Sequence, residues 1–327
     1  MSTEGGTKAV VAALLANTGI AVMKFLAFFL TGASSMLAEG IHSVADSGNQ
    51  VLLLLGGKRA SREATPEHPF GFGRERYIYS FLVAIVLFSV GGLFALYEAY
   101  HKAHEVHEGL PNDLLEGKWW WVAIVVLVGA IIMEGFSFRT AIRESNRTRG
   151  KVSWVEFIRR AKSPELPVIL LEDFAALIGL TFALLGVALS KLTGNGYFDV
   201  AGTALIGLLL VSVAVVLGIE TKSLLLGEAA SVEAQGRLRA SLEGTEGVDR
   251  VIHMKTMHLG PEELLVAVKI GVARTARAAD VARSIDAAER AMRAAEPTAR
   301  VIYVEPDIYV EDYERDPRPE TPAPAGH

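Results

Sequence analysis

The stretch Met36-Leu-Ala-Glu-Gly-Ile-His-Ser-Val-Ala-Asp-Ser-Gly-Asn-Gln-Val-Leu-Leu-Leu-Leu55 sets His42 and Asp46 one helical turn apart inside an otherwise apolar run. Residues at i and i+4 share a helical face, so the imidazole and the carboxylate are neighbours. Glu39 and Asn49 extend the same stripe by three residues on either side. In a helix surrounded by lipid each such group costs roughly 2.5 kcal/mol or more, so it is kept where it faces protein or water and has a task. The stretch therefore reads as a membrane helix whose polar stripe is turned inward.

Working outward, apolar runs of about the 20 residues needed to cross a bilayer recur. They fall at 10–30, 35–56, 77–100, 119–138, 167–189 and 198–220. The chain has 327 residues, 51% of them hydrophobic, with the excess in the first two thirds, and a mean hydropathy of +0.33. The expected fold class is an α-helical, multi-pass membrane protein with six transmembrane helices. The first two are joined by Thr31-Gly32-Ala33-Ser34 alone, which requires a tight turn. Lys24 and Glu134 lie near enough to span ends to snorkel or pair. Trp119, Trp120 and Trp121 are placed to anchor the fourth span at an interface.

Loop charge sets the orientation. The second-to-third loop carries Lys58, Arg59, Arg62, Arg74 and Arg76, and the fourth-to-fifth carries Arg139 through Lys162, while the opposite loops hold only Lys102, Lys118 and Lys191. The positive-inside rule then predicts cytoplasmic termini and cytoplasmic basic loops, in a protein integral to the cell membrane. The N-terminus lacks the features of a cleaved signal peptide, so the first apolar run is expected to stay.

Beyond Gly227 the composition becomes that of a soluble domain. A helix is predicted at 231–242 with Ser231 as its N-cap, strands at 248–258 and 264–272 around Gly260-Pro261, an amphipathic helix at 278–295 and a third strand at 300–310. This α-β-β-α-β order suggests a small open-faced α+β sandwich. The expected organisation is a transmembrane domain at 1–227, a cytoplasmic α+β domain at 228–312 and a Pro-rich disordered tail at 313–327.

There is no cysteine and the formal net charge is −5. Thiolate ligands, disulfides and cysteine nucleophiles are excluded, nucleic acid is not an expected partner, and metal chemistry falls to His, Asp and Glu. The fifth run, Pro167-Val-Ile-Leu-Leu-Glu-Asp-Phe-Ala-Ala-Leu-Ile-Gly179, supplies the adjacent acids Glu172 and Asp173 at a depth similar to that of His42 and Asp46. Two helices bringing an imidazole and carboxylates to one level can build a four-coordinate N/O site of the kind zinc accepts. Adjacent helical residues point about 100° apart. Asp173 is therefore the expected ligand, and Glu172 either the fourth ligand or a proton acceptor. The competing reading of His42 and Asp46 is a buried hydrogen bond that locks two helices, and of the fifth-run acids a pairing with Lys24.

Three passages give the chain a resemblance to the cation diffusion facilitator family of divalent-metal/proton antiporters. They are Ser35-Met-Leu-Ala-Glu-Gly-Ile-His-Ser-Val-Ala-Asp-Ser-Gly-Asn49, His68-Pro-Phe-Gly-Phe-Gly-Arg-Glu-Arg76 and Tyr197-Phe-Asp-Val-Ala-Gly-Thr-Ala-Leu-Ile-Gly207. The resemblance implies a homodimer that exports a divalent metal, zinc first and iron, manganese or cobalt as alternatives, in exchange for protons by alternating access. No resident cofactor and no enzymatic activity are implied. It matches His42 and Asp46 to the second-span ligands and Asp173 to a fifth-span ligand. Where the family has His or Asp four residues before that aspartate, this chain has Ile169, so Glu172 or a water would complete the site. The family's cytoplasmic metal cluster is not matched by His253 and His258, which are expected to be solvated, and the domain reads mainly as a dimerisation module.

The remaining signals are weaker. His101, His104 and His107 beside Glu105 and Glu108 could collect metal, but a solvated helix extension is the plainer reading, as is a solvated loop for the acids around His68. Gly129, Gly135, Gly179 and Gly186 are candidates for close helix packing. The rival functions are an intramembrane metalloenzyme, for which no His-Glu-x-x-His or Gly-x-Ser-x-Gly is present, and a membrane sensor or receptor, which would tolerate loss of the buried acids.

Overall fold

The computed structural model describes residues 3–311, with side chains from Asn17 onward; the tail expected at 313–327 lies outside them. The chain divides into two compact units between Glu228 and Ala229.

The first unit is helical. Helices α1 (Thr3–Thr31) and α2 (Ser34–Ala60) are separated by two residues. Gly32 adopts a φ of +62°, the left-handed turn that stops a helix and suits glycine, and its N–H donates to the Phe28 carbonyl at 2.7 Å. Helices α3 (Glu75–Val86) and α4 (Phe94–His107) are joined by a π-helical segment, Leu87–Leu93, into one rod. A single turn, α5 (Asp113–Glu116), precedes the long helix α6 (Trp120–Arg149). The basic loop expected after it contains a short helix, α7 (Trp154–Arg160), started by the Ser153 hydroxyl accepting from the Glu156 N–H at 3.1 Å. Helices α8 (Glu165–Thr193) and α9 (Tyr197–Leu226) complete the unit. Among the described residues, the rod Glu75–His107, α6, α8 and α9 are the four helices long and apolar enough to cross a membrane.

Burial in this unit is inverted relative to a water-soluble bundle. Lys24, Glu39, His42, Asn49 and Glu172 are buried, whereas Phe29, Leu82, Val125, Phe136 and Leu208 are exposed. That distribution is stable where the surrounding solvent is hydrocarbon. The Trp119 and Trp121 rings at the start of α6 are likewise exposed.

Glycine lets the backbones of α8 and α9 approach closely. A Cβ on Gly202 of α9 would lie 2.8 Å from the Phe182 carbonyl oxygen, and one on Gly186 of α8 would lie 3.0 Å from that of Phe198. Gly179 also packs closely, whereas Gly129 and Gly135 on α6 meet nothing within 4 Å; the packing expected of these two is not made, because they lie off the faces of α6 that meet neighbours. Gly202→Val is expected to destabilise the bundle by about 1–3 kcal/mol through overpacking against backbone. Thermal unfolding in detergent would register this, and an unchanged midpoint would mean that α8 and α9 separate freely.

The second unit comprises α10 (Val232–Glu243), β1 (Arg250–Gly260), β2 (Glu263–Gly271), α11 (Ala278–Ala295) and β3 (Ala299–Asp307). Ser231 caps α10 by accepting from the Ala234 N–H at 3.1 Å. The sheet order is β1-β2-β3, with β2 and β3 parallel and Ala267 opposite Tyr303. Leu264, Val266, Val268 and Ile270 alternate along β2 into one core with Leu238 and Leu242 of α10 and Ala288 and Met292 of α11. Both helices therefore cover one face of the sheet. Strand β3 stops at Asp307, short of the expected residue 310: its register with β2 ends with Gly271 opposite Asp307, the Val272 N–H closes the ladder on the Asp307 carbonyl at 2.9 Å, and the Ile308 N–H turns back to the Asp307 side chain at 2.7 Å.

Burial opposes ionisation of Glu296, but hydrogen bonds from the Thr298 hydroxyl and the Arg237 guanidinium outweigh it and hold the pKa below the ordinary carboxylate value. A depressed folded-state pKa contributes stability that is present above the unfolded value and is lost as pH falls through the folded one. Arg237→Ala is therefore expected to lower the stability of this unit at neutral pH and to flatten its acid-side decline. Hydrogen exchange of α10 and α11 against pH would show it, and parallel wild-type and variant profiles would contradict it.

Candidate metal centre

The polar stripe of α2 meets a different partner at each turn. At its start Ala33 offers no side-chain cap. Asp199 of α9 takes that role: its carboxylate accepts from the Ser34 N–H at 2.8 Å, the Ser34 hydroxyl at 3.0 Å, the Ser35 N–H at 3.4 Å and the Ser35 hydroxyl. A carboxylate at a helix N-terminus satisfies orphan donors and complements the helix dipole.

One turn further on, Lys24 of α1 donates to Glu39 at 2.9 Å and to the Ser43 hydroxyl at 2.7 Å, with both ionic side chains buried. Lys24 thus neither snorkels nor pairs with the acids of α8, because Glu39 is nearer. The other Glu39 oxygen has no hydrogen-bond partner and rests where Gly179 of α8 lacks a side chain; a Cβ there would be 2.7 Å away.

His42 and Asp46 follow. Their Nδ1 and Oδ1 atoms are 3.4 Å apart, and His42 is 1% exposed against 16% for Asp46. Neither His42 nitrogen makes a hydrogen bond, nor does Asp46 Oδ1, so the pair is close without the alignment of a structural lock. Three residues beyond, Asn49 donates to Glu172 of α8 at 2.6 Å.

Asp46, Glu172 and Asp173 line a single cavity of about 310 Å³, together with Asn17, Gln50, Glu134 and Ser137. Asp173 accepts from the Ser137 hydroxyl of α6 at 2.9 Å. His42 is not in the cavity wall and reaches it only through Asp46. Among the described residues no three His, Asp or Glu side chains lie close enough to hold one ion together. The sequence-derived residues therefore border a common space without converging. Leu54 and Glu165 also line it; each is eight residues along its helix from Asp46 or Asp173, about 12 Å. The cavity thus runs toward the end of α2 that carries Lys58 and Arg59 and the start of α8 that follows Arg159, Arg160 and Lys162.

Two other contributions were not legible in the sequence. Glu134, expected to snorkel or pair, faces this cavity. Asp199 lies in a motif whose spacing says nothing of a contact 165 residues away. The lesser histidines are settled more simply. His101 and His104 are exposed and lie 3.6 and 3.2 Å from Glu105 and Glu108 on their own helix. His253 is exposed, while His258, expected to be solvated, is buried near the end of the same strand β1, five positions on and so on the opposite face.

A buried imidazole with both nitrogens unpartnered, next to an aspartate that shares a cavity with carboxylates of a second helix, offers nitrogen and oxygen donors of the kind suited to a divalent cation. The chain is 32% identical over 263 residues to a Xenopus laevis protein named proton-coupled zinc antiporter SLC30A9, mitochondrial, covering 80% of this chain and 45% of that protein. The Homo sapiens protein of the same name is 33% identical over 259 residues, covering 79% and 44%. Metal tolerance protein C4 of Arabidopsis thaliana is 27% identical over 263 residues, covering 80% and 56%. The chain thus spans about half the length of these relatives. Residues 10–226 match the family model described as the cation efflux transmembrane domain, and the chain belongs to this family, that of the cation diffusion facilitators.

Proposed function

We propose that the protein carries a divalent metal ion, zinc first, across a membrane in exchange for protons, with His42, Asp46 and Asp173 as its ligands and Glu172 as fourth ligand or proton acceptor. The observation that carries this reading is the shared cavity: carboxylates of α2 and α8 face one space, and the orphaned nitrogens of His42 lie behind it. An ion entering there draws the side chains in and displaces their protons, because imidazole and carboxyl ligands bind metal only when deprotonated. The names of the relatives, which include a proton-coupled zinc antiporter, support the same ion and coupling.

In this reading all six long helical rods span the bilayer, α1 and α2 included. The basic loops and both termini face the cytoplasm, so the cavity is the inward-facing half of an alternating-access cycle. The protein is a multi-pass component of the cell membrane, and its α+β unit pairs two copies. Purified protein in liposomes containing a pH dye tests substrate and coupling together. Zinc applied outside should move protons across the membrane, with iron, manganese and cobalt as comparisons. A dye signal indifferent to every metal would reject the carrier.

A further inference from the structure

Glu134 stands apart from the residues that sequence spacing brings forward. On the reading that an ion binds between α2 and α8, three donors are in hand and a fourth is needed. Ile169, one turn before Asp173 on α8, lines the cavity and offers only carbon to an ion there. Glu172 is engaged, since its Oε1 accepts from Asn49 at 2.6 Å. Glu134, by contrast, lines the cavity with Asp46, and no hydrogen bond or ion pair occupies its carboxylate among the described residues. Ser137, one turn along the same face of α6, is tied to Asp173 at 2.9 Å, which holds that face of α6 against the site. Asp46 Oδ1 and both His42 nitrogens, buried and without hydrogen-bond partners, mark the place as one that lacks a ligand.

We propose that Glu134 is the fourth donor to the transported ion, completing a set of one imidazole and three carboxylates drawn from α2, α6 and α8, with Glu172 held aside by Asn49. Such a set joins one borderline nitrogen to hard oxygens. It accepts zinc, cobalt, iron or manganese, so selectivity among them depends on a helix outside the α2–α8 pair.

Cobalt(II) is the probe, because its visible bands report the atoms bound directly to it. The full chain in lipid nanodiscs is titrated with Co²⁺ alone, alongside Glu134→Gln, Glu134→His and Glu134→Asp. Glu134→Gln should weaken binding at least about 10-fold, since loss of even an outer partner of a ligand costs 10–100-fold. Glu134→His should shift the bands as nitrogen replaces oxygen. Glu134→Asp, which keeps the oxygen donor, should bind within a few-fold of wild type and shows that the fold survives the change. Bands of Glu134→His identical to wild type, or undiminished affinity of Glu134→Gln, would overturn the assignment. Retention of Co²⁺ by Asp46→Ala and Asp173→Ala would instead overturn the α2–α8 site itself.

Discussion

Alanine at Asp46 or at Asp173 is expected to reduce metal-driven proton movement in liposomes to the background of protein-free vesicles. Loss of a carboxylate removes both an oxygen donor and the negative charge that draws a divalent cation into a low-dielectric cavity. The effect should exceed the 10–100-fold that losing an outer partner of a ligand costs. Folding is expected to survive. Asp46 Oδ1 is buried without a hydrogen-bond partner, so its removal relieves a desolvation cost instead of breaking a bond. Asp173 gives up one hydrogen bond, from Ser137, worth about 1 kcal/mol. The two variants should therefore unfold close to the wild-type temperature while transport is lost. Transport by the double variant equal to wild type would remove these residues from the ion's path.

Asp199→Ala is expected to have the opposite profile, with a large loss of stability. Its carboxylate receives both backbone N–H groups and both hydroxyls at the start of α2. Without it the hydroxyls can turn elsewhere, but the Ser34 and Ser35 N–H groups remain buried and unpaired. At about 1–3 kcal/mol for each of these two orphaned donors, the total is about 2–6 kcal/mol. Asp199→Asn keeps an acceptor and loses the charge at the helix dipole, so it should fall between. Chemical unfolding in detergent micelles would rank the three proteins. An alanine variant within about 0.5 kcal/mol of wild type, the scatter of ordinary surface changes, would show that α2 needs no cap from α9.

The two predictions separate the roles along one helix. The start of α2 is tied to α9 through Asp199 and to α1 through Lys24 and Glu39, while its middle faces the cavity with orphaned atoms. The His42 nitrogens and Asp46 Oδ1 are left without hydrogen-bond partners in that middle stretch, and unsatisfied buried polar groups are rare enough in folded proteins to mark a site.

The long helices were readable because each is a run of apolar residues, and the α+β unit because Leu264, Val266, Val268 and Ile270 alternate and Ser231 carries a capping hydroxyl. Other features carried no such local signal. The π-helical segment at Leu87–Leu93 arises where Gly92 meets α9, a Cβ there lying 2.7 Å from Val211 Cγ2, and periodicity within one helix cannot report a neighbour. Lys24 and Glu134 illustrate the same limit. Their distance from a span end suggested snorkelling or pairing without a partner to name: Lys24 pairs with Glu39 in the interior, and Glu134 faces the cavity.

By itself the sequence determined the class of protein and the family, because hydrophobic runs, loop charge and three motifs are local properties of the chain. It also brought forward His42, Asp46, Glu172 and Asp173, since ionisable groups in apolar helices are too costly to be incidental. Only the tertiary structure decided which of those groups are already occupied and which remain open. Glu172 is engaged by Asn49, Asp199 caps a helix far away in the chain, and Glu134 joins the cavity from α6. The azimuth at which one helix packs on another is set by contacts between helices such as Gly186 against Gly202, which no single segment encodes.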